Sequence, residues 1–355
     1  MRRLDTIKEV PFSDVNLSDP FFTSLRNSYS GFDDWFERKA SLGEEMLISR
    51  DPQTYELIAM LYLKDEDSLD ISSQPPLRGR RLKIGTFKVD FEHHTSLGKR
   101  LLATALRRFA EGDYDYVYIT LFDAPNTAGL DALLRKYGFH DVATKGFEHV
   151  LAKARLDSRT GDPMAAYPFL RTNKGNDYLL AIYPEYHRRM FGDVELRSEF
   201  NIPIDDQTAI NTIEKIYLTG AWNAEQLQPA DHLVMYRTGD DKGPALYRSI
   251  VSAVCTLVEK RNLSDFASED EFVSYIGGRS VFEEDELDRF WRQRRYPWVL
   301  TMLFNFPLRC HPNRERLLHE GIIPDGERIV CQPLDKRSFK RIIELGGINE
   351  GYVID

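Results

Sequence analysis

LKIGTFKVDFEHHTSLGK, residues 82–99, decides the reading of this chain. Its first eight residues are mostly apolar or β-branched and predict a strand. Residues 90–96, polar except for Phe91, predict a turn, after which Leu97 and Gly98 open a helix. A strand, a short turn and a helix start leave several backbone N–H groups aimed the same way. The helix dipole adds to them, so such a place favours phosphate. GKRLLATALRRFA (98–110) continues as an amphipathic helix, with Leu101, Leu102, Ala105 and Phe109 on one side and Lys99, Arg100, Arg107 and Arg108 polar. EGDYD (111–115) turns the chain into a second strand, YVYITLF (116–122). NTAGLDALLRKYGF (126–139) is a second helix start and helix.

Outward from this block, FDDWFERKASLG (32–43) has its acids early, as a helix N-terminus prefers. TYELIAMLYLK (54–64) predicts a buried strand, residues 65–81 with Pro75 and Pro76 a loop, and GFEHVLAKA (146–154) a last strand.

The order strand, loop, helix, strand, helix over roughly residues 30–155 resembles the acyl-CoA-binding core of the GNAT acetyltransferase superfamily. There the pyrophosphate loop reads Arg/Gln-x-x-Gly-x-Gly/Ala. His93, His94, Thr95, Ser96, Leu97 and Gly98 align with it. Gly98 matches, Ser96 stands for the first glycine and His93 for the leading residue. Asn126 and the closing Tyr137-Gly138-Phe139 are also usual for the family. The resemblance implies acetyl-CoA as cofactor, its diphosphate on the N–H groups of His94, Thr95, Ser96, Leu97, Gly98, Lys99 and Arg100, and Asn126 on the cofactor arm. It also implies that the strand 82–89 and its partner 116–122 splay apart to admit the pantetheine. Many members carry a tyrosine four residues before the glycine of the closing Gly-Phe; here that position is Leu134, which has no proton to donate. Tyr137 is the nearby hydroxyl. Asp90, Glu92 and Asp123 follow strand ends and are the candidate bases, although a solvated loop carboxylate is the commoner role for each. The pair His93–His94 lacks a third ligand placed by sequence, so no metal is assigned.

Residues 156–210 predict a connector. From 211 on, short apolar runs alternate with helical patterns: residues 216–218, 232–236 and PWVLTMLFNF (297–306) as strands, 314–319 and 336–345 as helices, with Ser268–Glu271 a capping box. LQPADHLVMYRTGD (227–240) resembles the PUA-like superfamily, which includes ASCH and EVE domains that read RNA or modified bases at a barrel mouth. The fold expected is therefore an α/β (α+β) GNAT domain over 1–155, a connector over 156–210, and a small PUA-like β-barrel with helical insertions over 211–355. FWRQRRYPW (290–298) interleaves Arg292, Arg294 and Arg295 with Trp291 and Tyr296, a pattern that suits phosphate pairing and base stacking. The acids Glu283, Glu284, Asp285, Glu286 and Asp288 favour an ordinary salt-bridged helix equally. Trp222 and Arg237 lie in the PUA-like block as further nucleic-acid candidates.

At 355 residues the chain is long enough for two domains. Its net charge of −9 excludes a basic nucleic-acid-binding module, so any RNA contact must use a local patch. No apolar run is long enough for a membrane helix, and the start MRRLDTIKEV has no apolar core of a signal peptide. Three widely spaced cysteines, Cys255, Cys310 and Cys331, fit a reducing cytoplasm. The two resemblances imply an acetyl-CoA-dependent N-acetyltransferase acting on an amine, with aminoacyl-tRNA as a candidate acceptor. The pairing of the two domains resembles GNAT toxins of bacterial toxin–antitoxin modules, some of which acetylate the amine of aminoacyl-tRNA; it implies a toxin of such a module, with an antitoxin protein as partner. The alternative is a non-catalytic acyl-CoA-binding or RNA-binding regulator.

Overall fold

A computed structural model describes residues 7–51, 53–90, 97–191 and 213–354. The chain forms two mixed sheets and divides into two compact units. The first unit comprises residues up to Phe109, Asp113–Arg135 and Phe139–Ala154. The second comprises Ala110–Gly112, Lys136–Gly138 and the residues from Arg155 onward.

In the first unit the elements run β1 (Lys8–Pro11), α1 (Thr23–Ser28), α2 (Phe32–Ser41), β2 (Glu45–Arg50), β3 (Leu57–Glu66), β4 (Arg81–Val89), α3 (Leu97–Glu111), β5 (Tyr116–Phe122), α4 (Ala128–Lys136), β6 (His140–Lys145) and β7 (Glu148–Ala154). The sheet order is β1-β2-β3-β4-β5-β7-β6. Every pairing is antiparallel except β4 with β5. A parallel pair needs a crossover, and α3 supplies it. The apolar side of α3 works as its spacing requires: Leu97, Leu101, Leu102, Ala105, Leu106 and Phe109 are all fully buried.

Two clusters pack on one face of this sheet. Phe12, Phe22, Phe36, Met60 and Tyr62 join α2 to β3. Leu77, Tyr118, Ala143, Val150 and Ala152 form the other. Register shows that they share a face: Tyr62 and Lys64 are two apart on β3, Lys64 lies opposite Lys83, and Lys83 opposite Tyr118. The seam between β4 and β5 therefore runs between the two clusters.

The second unit contains α5 (Pro163–Ala166), β8 (Asp177–Ile182), α6 (Pro184–Met190), β9 (Glu214–Thr219), β10 (His232–Arg237), α7 (Ala245–Arg248), β11 (Ile250–Asn262), α8 (Glu269–Ile276), α9 (Glu284–Gln293), β12 (Trp298–Pro307), α10 (Arg314–His319), β13 (Cys331–Leu334) and α11 (Lys336–Gly346). Its sheet order is β13-β8-β10-β11-β12-β9, with β8 and β10 parallel. The expected barrel does not close. At one end stands β13, four residues long and carrying Pro333, which has no N–H to give a further neighbour. At the other, β9 meets Ser280 through a single bridge at Ile216. The stretch expected as a connector supplies β8, whose DYLLAI sequence is buried between β13 and β10. Leu233, Ala253, Cys255, Leu257, Leu300, Met302 and Phe304 form this unit's core.

Candidate functional site

β4 and β5 pair from Arg81↔Tyr116 to Ile84↔Ile119 and then separate, although β4 runs on to Val89 and β5 to Phe122. The separation begins at a bulge. Tyr62 pairs with Thr86 and Leu63 with Ile84, so Gly85 is the extra residue on β4. Only glycine fits there, because a Cβ at Gly85 would lie 2.7 Å from Cδ1 of the Tyr62 ring. Past the bulge, Asp90 N–H donates to the Ile58 carbonyl at 2.8 Å. By the alternation of an antiparallel ladder, Lys88 and Thr86 also face β3. Phe87 and Val89 then turn their N–H and C=O groups toward the seam, where among the described residues no strand meets them. β5 is held on its far side by β7 as far as Phe122↔Glu148, so its own seam edge is open too.

A cavity of about 790 Å³ fills this opening. α1 and α2 contribute Ser24 and Trp35, and the turn between them Tyr29. The seam strands contribute Lys83, Phe87, Val89 and Thr120, α3 gives Gly98, and Asn126 closes one side. Gly98 has room around it, since an added Cβ would stand 3.8 Å from the nearest Leu133 atom.

Among the described residues, three charged groups line the cavity. Lys88 is tied down: its ammonium donates to the Phe21 carbonyl and to Ser24 Oγ (2.5 Å) and lies over the Phe21 ring. Glu148, first residue of β7, accepts a hydrogen bond from the Tyr29 hydroxyl at 3.5 Å. Burial, the charge of Glu148 and that bond push the Tyr29 hydroxyl up to about 12. The Tyr29 ring also packs on Phe122, 5.5 Å between centroids. Lys83 is half-buried at the seam floor, 5.7 Å from the Tyr118 ring. Burial lowers the affinity of its amine for a proton, and Glu66 pulls it partly back.

Of the residues expected from sequence, Gly98 and Asn126 line the cavity. Leu97 is buried in the first turn of α3, Lys99 stands there half-buried, and Arg100 is buried. Glu92, His94, Thr95 and Ser96 lie outside the described residues. Asp123 is exposed after β5 and is not part of the cavity wall. Tyr137 is fully buried in the second unit, where its hydroxyl donates to Glu214 at 3.2 Å beside the Tyr167 ring. Burial first, then the charge of Glu214, raises its pKa. Leu134 is fully buried. Sequence reading missed Tyr29, Lys83, Gly85 and Glu148. Gly85 had a signal, a lone glycine inside a strand pattern; the other three had none.

The nucleic-acid candidates divide in the same way. Trp222 is 76% exposed. Arg292 is exposed and pairs with Asp288 at 2.7 Å, and Arg295 is exposed. Arg294 adopts a left-handed conformation (φ 52°) as the cap of α9, donates to the Leu263 carbonyl (2.7 Å) and lies 3.6 Å over the Trp291 ring. Trp291 itself stacks on Phe272. Arg237 is 1% exposed and bonds the Arg248 carbonyl and Asp240, so it braces a turn and offers nothing to a surface ligand. Among the described residues no cluster of three His, Cys, Asp or Glu stands close enough to hold a metal ion, and no helix is long and apolar enough to cross a membrane.

No protein-family model matches the chain, and no curated protein matches it. Solved structures match parts of it. The ASCH protein of Zymomonas mobilis is 11% identical, covering 48% of this chain and 95% of that one, with a TM-score of 0.30. The PaiA N-acetyltransferase of Thermoplasma acidophilum in complex with coenzyme A is 14% identical over 42% and 99% of the two chains, TM-score 0.30. A bacterial toxin is 15% identical over 42% and 92%, TM-score 0.30.

Proposed function

We propose that the first unit is a GNAT-type N-acyltransferase that uses acyl-CoA to acylate an amine. The observation that carries this reading is the seam: two parallel strands that stop pairing over a cavity, with edges that no strand meets among the described residues. Buried main-chain N–H and C=O groups require partners. A pantetheine arm, with amides along a thin chain, meets that requirement, whereas a flat or branched ligand leaves the edges unpaired. Acyl-CoA supplies an activated acyl group as a thioester. On this chain, Phe87 and Val89 offer N–H donors to an acyl carbonyl. Gly98, Asn126, Lys99 and Arg100 stand at the end expected for the diphosphate; His94, Thr95 and Ser96, outside the described residues, precede them in the sequence. Glu148 takes the role of base that the sequence offered to Glu92, Asp123 or Asp90: an ammonium must lose its proton before it attacks, and among the described residues Glu148 is the carboxylate lining the cavity.

The α-amine of an aminoacyl ester is less basic than a lysine, so a carboxylate suffices to deprotonate it, and aminoacyl-tRNA is the first acceptor to try. The second unit then holds RNA, a role supported by the exposed Trp222, Arg292 and Arg295.

The test is calorimetric titration of the full chain with acetyl-CoA, repeated on Gly98→Glu. The space beside Gly98 admits a side chain, so the variant folds while placing a negative charge in the cavity wall. Binding by the natural chain, weakened about tenfold or more in the variant, supports the reading. No binding by the natural chain ends it.

A further inference from the structure

Lys83 carries its ammonium at the half-buried seam floor. It lines the cavity, and among the described residues no carboxylate stands within ion-pair distance of its ammonium. The carboxylate that acts on it most, Glu66, is already engaged by the Tyr118 hydroxyl (2.6 Å), Lys64 (2.9 Å) and Arg81 (3.3 Å). Lys145 on the same side is spent on Asp70 at 2.9 Å. The seam floor thus keeps a positive excess in a partly desolvated place, where it costs free energy unless a ligand supplies the missing charge.

Glu148 stands at the other end of the same face. Lys83 is in register with Tyr118 and Glu148 with Phe122, four residues on, so their backbones are about 13 Å apart along the strand. The two side chains lean into one cavity, and Glu148 is near enough to act on the Lys83 charge. A carboxylate and an ammonium so placed match a ligand with the opposite polarity.

We infer that Lys83 is the anion-binding group of the acceptor site, selecting amines that carry a carboxylate or a phosphate several bonds from the nitrogen. This rests on the acyltransferase reading, in which Glu148 faces the amine. It makes Lys83 a specificity residue and leaves the chemistry to the seam.

The test reads Lys83 directly. The full chain is exposed briefly to acetic anhydride near neutral pH, alone, with inorganic phosphate or with acetate. Acetylation at Lys83, at Lys99 and at the exposed Lys174 is then followed by peptide mass spectrometry. An anion docked on Lys83 favours its ammonium form, shields the amine and slows its reaction by about fivefold or more, with Lys174 unchanged. Stronger protection by phosphate assigns a phosphate-bearing acceptor, and stronger protection by acetate a carboxylate-bearing one. Equal rates with and without either anion overturn the proposal, as does protection confined to Lys99. Acetyl-CoA calorimetry on Lys83→Gln separates the two readings. Intact cofactor binding with an unprotected Lys83 in the natural chain leaves the acyltransferase standing and removes the anion site. Protection without any cofactor binding by the natural chain overturns the acceptor role.

Discussion

Both sheets contain bulges, but only one of them opens. In the second sheet, β11 slips register against β12 at Val254/Cys255 and again at Leu257/Glu259, and pairing resumes each time. In the first sheet, the bulge at Gly85 is followed by complete loss of pairing on the β5 side. The difference lies in what holds the neighbouring strand. β5 is pinned to β7 in unbroken register along its whole length, so it cannot follow β4 when the bulge bends it away. β12 has its bulged partner on one side and the short β9 on the other, and it follows. A bulge bends a strand; a cavity forms where the next strand is fixed by someone else.

That contrast predicts an order of sensitivities. The closed sheet should suffer most from lost volume. Phe304→Ala, at a site 1% exposed and packed on Phe191, is expected to lower stability by about 3–5 kcal/mol in denaturant unfolding. A loss under about 1 kcal/mol would mean that the second core is loosely packed and the contrast is misplaced. The open sheet should suffer most from added volume at its bulge. Gly85→Val drives a side chain into the Tyr62 ring and is expected to lower stability by about 1–3 kcal/mol while abolishing acetyl-CoA binding in calorimetry. Retained binding would show that the bulge does not set the seam.

The closed sheet also buries a titratable group. His187, packed against Ser252 at 2.7 Å, has its pKa pushed down to about 3 by burial, with the positive charges of Arg237, His311 and Arg188 adding. The unfolded chain binds that proton near pH 6.5 and the folded chain does not. Stability from this group is therefore complete above pH 6.5 and is lost as pH falls toward 3. Between pH 7 and pH 5 the loss is about 2 kcal/mol, and unfolding midpoints for the natural chain and His187→Gln should converge over that interval. Parallel curves would refute the assignment. The smallest effect belongs to the surface. Arg292→Ala removes an exposed helix pair with Asp288 and should change stability by under about 0.5 kcal/mol. A gel-shift assay with tRNA tests its RNA role, and undiminished binding would take Arg292 out of that surface.

The sequence showed what depends on local pattern. The span 116–122 emerges as β5 residue for residue, and the helix begun at Gly98 emerges as α3, because hydrophobic period and turn residues are local. β6 was not foreseen, since HDVATK has no apolar alternation and is a strand only because β7 offers it an edge. β8 was assigned to a connector for a related reason: six residues bounded by polar turns reveal a strand only once β10 and β13 flank them. The site follows the same rule. Gly98 and Asn126 sit beside strand ends that the sequence marks. Glu148 enters through its register with Phe122, and Tyr29 through a contact 119 residues away in the chain. Tyr137 and Arg237 were drawn toward solvent by their chemistry, and the fold spent both inside, on Glu214 and on Asp240.

The open seam has a consequence in time as well as space. Amide protons in a sheet normally trade with water quickly at the rim and slowly at the centre. β4 is the fourth of seven strands, and its Phe87 and Val89 amides, which no described strand meets on the β5 side, are expected to trade faster than the paired amides around them. A ligand that seats itself along the seam silences them, and the molecule carries its own occupancy gauge in two backbone protons.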